Sequence, residues 1–319
     1  MRLYSATEAL DHELPGGPSA GGDPTPPLAS NFANFWERRG RRVFECQGVL
    51  WGHHKGPFYT SFPQHLRIDA TPDELREVFR MGGVQGLRFP STGRPGMPNG
   101  MYVMRPQGYT LKTVNQRQRS HVKRGLEACE IRAMAPDELA ALGLALNEDT
   151  LARQDRSDAD FLDPARWKHF CKAIGDTPAM SIHGAFVEGQ LASYLVSCRE
   201  GDWVHMIYGM SRTHLREYYP NHALDFIFIT GLSEDPTVRY ISNGGTSTLP
   251  NEGLDRFKRQ MGYQISEQNL CLHFHPLMSG LLTSRAVAAV TEGLEALLPH
   301  QESLAYRARI LEGARLTLG

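Results

Sequence analysis

The late segment EGLDRFKRQMGY carries Lys258 between Arg256 and Arg259 on a helix-period pattern. By periodicity alone this lysine reads as a solvated cation on an amphipathic helix. Fixed beside a carbonyl under attack, the same ammonium would lower the barrier by offsetting the developing oxyanion. A second set of cations stands in LKTVNQRQRSHVKRG. Arg117, His121 and Arg124 recur at i, i+4 and i+7, which puts them on one helical face. Arg119 and Lys123 form a second row, and Lys112 extends the patch. Guanidinium groups fork onto two oxygens, so Arg117 and Arg124 are candidate holders of a phosphate or carboxylate. The competing reading is a solvated helix between domains, paired to surface acids. Thr113 and Gln116 have capping-box spacing at its start.

Other residues offer one chemical and one structural reading each. Asn243 stands where a strand ends in Gly244-Gly245, a place for a substrate contact or simply a turn. Tyr208 shares a strand face with Val204 and Met206 and would orient a substrate or pack in the core. Asn221 follows Pro220 at the opening of a helix, as a cap or a substrate contact. His273 and His275 alternate on one strand face without a third ligand at metal spacing, so no metal is expected. Cys171 and Cys198 lie in apolar runs and read as inert packing. No nucleophile, base and oxyanion donors occur together; direct attack on an activated donor needs no enzyme nucleophile.

The elements that must position these residues follow from pattern. RRVFECQGVLW, PFYTSF, QGLRFPS and MYVMRP read as strands. TPDELREVFRM reads as a helix with Thr71 as N-cap and Pro72 at N1. Further on, EIRAM is a strand, and PDELAALGLALNEDTLARQ and PARWKHFCKAIG are helices. SIHGAFVEG and QLASYLVSC form a hairpin at Glu188-Gly189. WVHMIYGMS, YYPNHALDFIFITGL, VRYISNGG, EGLDRFKRQMGY and QNLCLHFHP continue as strand, helix, strand, helix, strand. The class is α/β, or α+β, with mixed sheets flanked by helices. Strand, strand, helix, strand over VLWGHHKGPFYTSF, TPDELREVFRM and VQGLRF recurs over WVHMIYGMS, NHALDFIFITGL and VRYISN, a hint of duplication.

The expected organisation is a flexible Gly/Pro-rich lead over residues 1–30, a first unit over 31–110, a second over 111–276, and two C-terminal helices over 277–319 broken at Pro299. A length of 319 residues fits two domains. A net charge of −1 argues against a general nucleic-acid binder. No apolar run reaches membrane-spanning length. Five scattered cysteines without a CxxC pair, and no basic-then-apolar signal pattern, predict a cytoplasmic protein with reduced thiols.

The order of the second unit, β-α-α-β-β-β-α-β-α-β, resembles the GNAT acyltransferase fold over about half the chain. In that fold a Gly-rich loop opening the central helix holds acyl-CoA phosphates on backbone N–H groups. This chain has RTHLREYYPNHAL there, with no glycine between Gly209 and Gly231. PNHAL at the central helix, GLDRFKRQMGY late in the chain and the basic helix TVNQRQRSHVKRG resemble the FemAB-like branch of that superfamily. That branch includes aminoacyl-tRNA-dependent peptidoglycan bridge transferases and acetyltransferase-like proteins. The resemblance implies tandem GNAT-like domains and an acyltransferase moving an acyl or aminoacyl group to an amine acceptor. It implies that Lys258 stabilises the oxyanion; Phe257 beside it is a candidate substrate contact, and Tyr208, from its strand face, a second catalytic candidate. The acceptor is expected to be a small molecule, anionic or nucleotide-linked, held by Arg117 and Arg124. No cofactor is expected to bind tightly, and the donor is an acyl-CoA or an aminoacyl-tRNA. The alternatives are an aminoacyl-tRNA-dependent ligase and a non-catalytic binding module of the same fold.

Overall fold

The computed structural model describes residues 1–5, 30–54, 58–246, 251–282, 284 and 302–318. Most of the expected flexible lead, residues 6–29, and the Pro299 break lie outside the described residues, while Arg2–Ser5 at the start of that lead forms a strand instead. The chain divides into two compact units, each built from separated segments. Unit 1 comprises Met1–Met101, Gly245–Asn251 and Ile265–Gly319; unit 2 comprises Tyr102–Gly244 and Glu252–Gln264.

In unit 1, β1 (Arg2–Ser5) pairs with β5 (Leu66–Asp69), and a mixed sheet runs in the order β2 (Val43–Cys46), β3 (Val49–His53), β4 (Phe58–Phe62), β6 (Gly86–Ser91), β13 (Gln264–Phe274). RRVFECQGVLW is therefore two strands rather than the single one expected. Gln47 and Gly48 both have positive φ, 56° and 73°, which closes a two-residue hairpin between Cys46 and Val49. Helices α1 (Asn31–Arg38) and α2 (Pro72–Arg80) also belong to this unit. α2 has the predicted Thr71 capping box with Glu74. β4 and β6 are parallel, which requires the crossover that α2 supplies. Trp51, Ile68, Val78, Leu87, Phe89 and Cys271 fill the core beneath it. QNLCLHFHP, expected to close the second unit, pairs antiparallel with β6 in unit 1 instead. α9 (Pro276–Leu282) follows it, and α10 (Glu302–Leu318) buries Ile310 and Ala314 against Leu272. β7 (Met97–Met104) carries the chain from unit 1 into unit 2.

Unit 2 opens with α3 (Gln116–Ala128) and β8 (Glu130–Ala133), followed by α4 (Pro136–Arg153), α5 (Ala159–Leu162) and α6 (Pro164–Gly175). β9 (Met180–Val187), β10 (Gln190–Glu200) and β11 (Trp203–Ser211) form an antiparallel meander. α7 (Pro220–Ser233) crosses to β12 (Tyr240–Gly245), parallel to β11, and α8 is Glu252–Gln260. The sheet order is β12-β11-β10-β9-β8. Each unit thus contains an antiparallel pair followed by a helical crossover to a parallel strand, the recurrence hinted at in the sequence. The Glu188-Gly189 hairpin forms as expected, with φ of 49° and 79°.

Candidate functional site

α8 is strongly amphipathic in its burial, and the residue it buries is a lysine. Lys258 is 6% exposed, while Arg256 and Arg259 are exposed. Its Nζ donates to the carbonyl oxygen of Asn243 at 2.5 Å and lies 4.7 Å from the centroid of the buried Tyr102 ring on β7. That carbonyl faces the lysine because the chain turns immediately after it, at Gly244 with φ 68°. A Cβ on Gly244 would stand 3.9 Å from Nζ, ordinary contact, so the turn and not space calls for glycine. One of the three ammonium donors is therefore engaged by Asn243, and the ring face supplies a second favourable contact.

The electrostatics around this ammonium are unusual. Burial lowers the Lys258 pKa to about 8, against the pull of Asp255 and then Asp225. Asp225, on α7 and 8% exposed, is raised by burial to about 7, against the pull of Lys258. Burial also raises the hydroxyls of Tyr109 and Tyr263, and Asp225 adds to both. Tyr109 Oη donates to Met261 O at 2.9 Å, and Tyr263 Oη lies 2.9 Å from Met206 Sδ. The Tyr102 hydroxyl is near both Asp255 and Arg259, yet meets the geometry of a formed hydrogen bond with neither.

A second cluster sits at the N-terminus of α7. Gln118 Oε1 accepts from His121 Nδ1 at 2.6 Å and from His222 Nε2 at 2.9 Å, which assigns the proton-bearing nitrogen of each ring. Its amide Nε2 donates to Gln260 Oε1, tying α3 to the end of α8. Burial, then His121, lowers the His222 pKa to about 4. Phe257 meets His222 edge to face at 4.9 Å. Tyr219 is held left-handed (φ 55°, ψ 42°), its ring stacked on His121 at 4.2 Å and covered by the Arg124 guanidinium at 4.8 Å. α3 and α7 approach closely because residue 125 is glycine: a Cβ there would lie 2.7 Å from Tyr219 O.

The structure joins some predicted site residues and separates others. Lys258 and Asn243 are bonded, and Phe257 belongs to the histidine cluster. Arg117 and Arg124 are exposed on α3 with His121 between them, while Arg119 turns back onto the carbonyls of Val114 and Lys112. The capping box at Thr113 and Gln116 does not form. Asn115 caps α3, accepting from Arg117 N, and Thr113 instead closes a turn on Thr110. Asn221 is not the cap of α7: Tyr219 and Pro220 occupy the start, and the Asn221 side chain accepts from Ser193 Oγ at 2.6 Å. Tyr208 does not share the face of Val204 and Met206. The β10–β11 register shifts so that Val196 faces Tyr208 and Ser197 faces Met206, which leaves Ile207 extra. Tyr208 consequently packs on Phe161 and Phe170. His273 stacks on Phe89 and His275 stands edge-on to Phe79. Among the described residues no three His, Cys, Asp or Glu side chains gather as metal ligands.

Two residues of the site were not anticipated. Tyr102 reads as one of several apolar residues in MYVM. Asp225 did leave a signal: it is the only acid in PNHALDFIFITGLS, a helix whose central residues are mostly apolar.

No family model matches the chain, and no curated protein does. Solved structures do. FemX matches at TM-score 0.56 and 12% identity, over 85% of this chain and 96% of FemX. The C-terminal domain of a putative lysylphosphatidylglycerol synthetase from Agrobacterium fabrum matches at 0.53 and 12%, over 76% and 86%. L-PGS from Bacillus licheniformis matches at 0.50 and 12%, over 75% and 85%. The chain shares the fold of these proteins, the FemAB-like fold that the sequence resembles.

Proposed function

We propose that this chain is an acyltransferase that moves an acyl or aminoacyl group from an activated donor to an amine acceptor, at a site in unit 2 centred on Lys258. The observation that carries the reading is a buried lysine oriented by the Asn243 carbonyl, with donors left over. The fold shared with FemX and with a lysylphosphatidylglycerol synthetase domain supports the same class. In the reaction the amine lone pair forms a bond to the acyl carbon, and the carbonyl π electrons move onto oxygen. The Lys258 ammonium donates to that oxyanion, which costs little reorganisation because its stem is already packed. Collapse of the intermediate expels the donor's leaving group, and the proton lost by the amine passes to water or to that group. In unit 2 burial raises the thiols of Cys129 to about 11 and Cys171 to about 12 and pushes Cys198 up as well, which keeps these three protonated.

Arg117 and Arg124, exposed on one face of α3, are the proposed anchors for an anionic part of a substrate. Phe257, next to Lys258 in the chain, meets the His222 ring edge to face and is the proposed apolar substrate contact. The test is mass detection of acyl transfer from a panel of acyl-CoA and aminoacyl-tRNA donors to small amines, comparing the wild type with Lys258→Met. Product that appears with the wild type and fails with the variant supports the reading. Product formed equally by both removes Lys258 from the chemistry. Filter binding with charged tRNA separates the two donor classes.

A further inference from the structure

Two buried polar atoms beside Lys258 have no hydrogen-bond partner among the described residues: the Tyr102 hydroxyl oxygen and Asp255 Oδ1. Tyr102 is 0% exposed, so its hydroxyl cannot turn to solvent. The two atoms belong to one neighbourhood. Lys258 Nζ lies 4.7 Å from the Tyr102 ring centroid, and the hydroxyl at the edge of that ring is near the Asp255 carboxylate. Asp255 stands three residues before Lys258, on the same side of α8. A buried hydroxyl or carboxylate oxygen left unbonded is costly, so two of them side by side call for a common explanation. They are also complementary: a carboxylate oxygen only accepts, whereas a phenol donates or accepts. Yet they do not close on each other, and Arg259, near the same hydroxyl, is exposed and forms no bond with it. A group that satisfies both atoms has at least two N–H donors and gains from a negative neighbour. A primary amine, arriving as its ammonium, meets both conditions.

We propose that Asp255 Oδ1 and the Tyr102 hydroxyl bind the amine nitrogen of the acceptor, and that Asp255 is the catalytic residue that takes its proton. This rests on the reading of Lys258 as the oxyanion donor, and it sets the base and that donor one helical turn apart on α8. The carboxylate holds the incoming ammonium, and the tyrosine oxygen accepts a second N–H. Transfer of one proton to Asp255 Oδ1 frees the nitrogen lone pair, which bonds to the acyl carbon while the carbonyl π pair moves onto oxygen beside Lys258. Asp255 is half-buried, so it hands that proton to solvent on its open side. It then takes the surplus N–H proton as the carbonyl re-forms and the leaving group departs with the bonding pair. A positioned carboxylate contributes typically about 10²–10⁴-fold in such a step.

The experiment first reads binding, with no acyl donor present. The protein is titrated with n-butylamine, and in parallel with tetramethylammonium, which has the charge and no N–H, by ligand-observed NMR. Saturable binding of butylamine that tetramethylammonium does not match is expected. Asp255→Asn is expected to weaken it by about tenfold or more, since a charge-assisted contact is lost. Tyr102→Phe is expected to weaken it less, and to leave thermal stability unchanged or higher, because it deletes a hydroxyl with no protein partner. Where the amide variant does not fold, Asp255→Ser gives the same comparison. Butylamine that does not bind, or binds the wild type and a folded Asp255 variant equally, overturns the proposal. In the transfer assay, Asp255→Asn is expected to lower kcat/KM for butylamine by about 10²-fold or more. The loss should be smaller for hydroxylamine, a far weaker base that sheds its proton without help. Equal losses with the two amines would overturn the role as base. Failure of the Lys258 reading shows elsewhere, as full activity in Lys258→Met, so the two are separable.

Discussion

Lys258→Met keeps most of the stem and removes the charge. If the ammonium meets the oxyanion, kcat is expected to fall by about 10²–10³ with KM nearly unchanged, a loss confined to the transition state. Arg259→Met, one residue along and about 100° round the helix, is expected to do little. Lys172→Met is the distant control, because that lysine is exposed and paired only to Asp176. Equal losses at 258 and 259 in steady-state kinetics would indicate a diffuse field instead of a placed donor. Reading this lysine from sequence had a definite limit. Flanked by Arg256 and Arg259, it has the pattern of a solvated row, and periodicity does not say which cation turns inward. That choice is made by Asn243 O and the Tyr102 ring, groups 15 and 156 positions away in the chain. The same holds for Tyr208, whose face is set by one extra residue in β11 that alternation does not reveal.

At the scale of elements, the opening of α7 decides what the protein can grip. Pro220 has no N–H, and the His222 and Ala223 N–H groups both bond to Tyr219 O. A helix start normally offers several free donors to an anion; here Pro220 offers none and the His222 N–H is taken by Tyr219 O. Free CoA is expected to bind weakly, at about −5 kcal/mol or less favourably, with a Kd in the high micromolar range or above. Isothermal calorimetry that found tight acetyl-CoA binding would contradict this. The junction itself depends on Gly125. Alanine there gains about 1 kcal/mol of helix propensity against the contact with Tyr219 O, so valine is the clearer probe. Gly125→Val is expected to cost about 1–3 kcal/mol in urea unfolding, through overpacking against a backbone carbonyl that cannot rotate away. Arg117→Ala with Arg124→Ala should instead leave thermal stability nearly intact, since both are exposed, and raise the acceptor KM. Most of these elements were legible in the sequence, including the exact span of Pro164–Gly175 and the Thr71 cap. Gln47-Gly48 bears the same non-glycine–glycine mark as Glu188-Gly189, but the strands it joins, Val43–Cys46 and Val49–His53, are too short for alternation to separate them.

For the whole molecule, buried titratable groups set the response to acid. Burial lowers His205, His222 and His273 each to about 4, whereas Asp225 is raised to about 7. A histidine with a depressed pKa contributes stability above its unfolded value near 6.5 and loses it as pH falls towards 4. Asp225 has the opposite sign: its contribution is full below about 3.8 and is lost as pH rises through about 7. Three histidines outweigh one carboxylate, so unfolding between pH 6.5 and 4 should take up a net two protons. From these four groups stability is expected to fall by up to about 2.7 kcal/mol per pH unit there, with the lowered His183 adding in the same direction, as measured by urea titration at several pH values. A flat profile would mean that these histidines are hydrated in the folded state.

The division of the chain into interleaved segments bears on how it is made. Unit 2 has all of its residues once Gln264 has emerged, while unit 1 still lacks β13 and everything after it. The unit whose synthesis starts second is therefore the first that can finish folding on the ribosome. Until the last turns of α10 arrive, Leu272 waits for its cover and for the Thr317 hydroxyl that accepts its N–H. A nascent chain halted just after Gln264 has cleared the ribosome should resist protease over Tyr102–Gly244 and be cut within the first hundred residues.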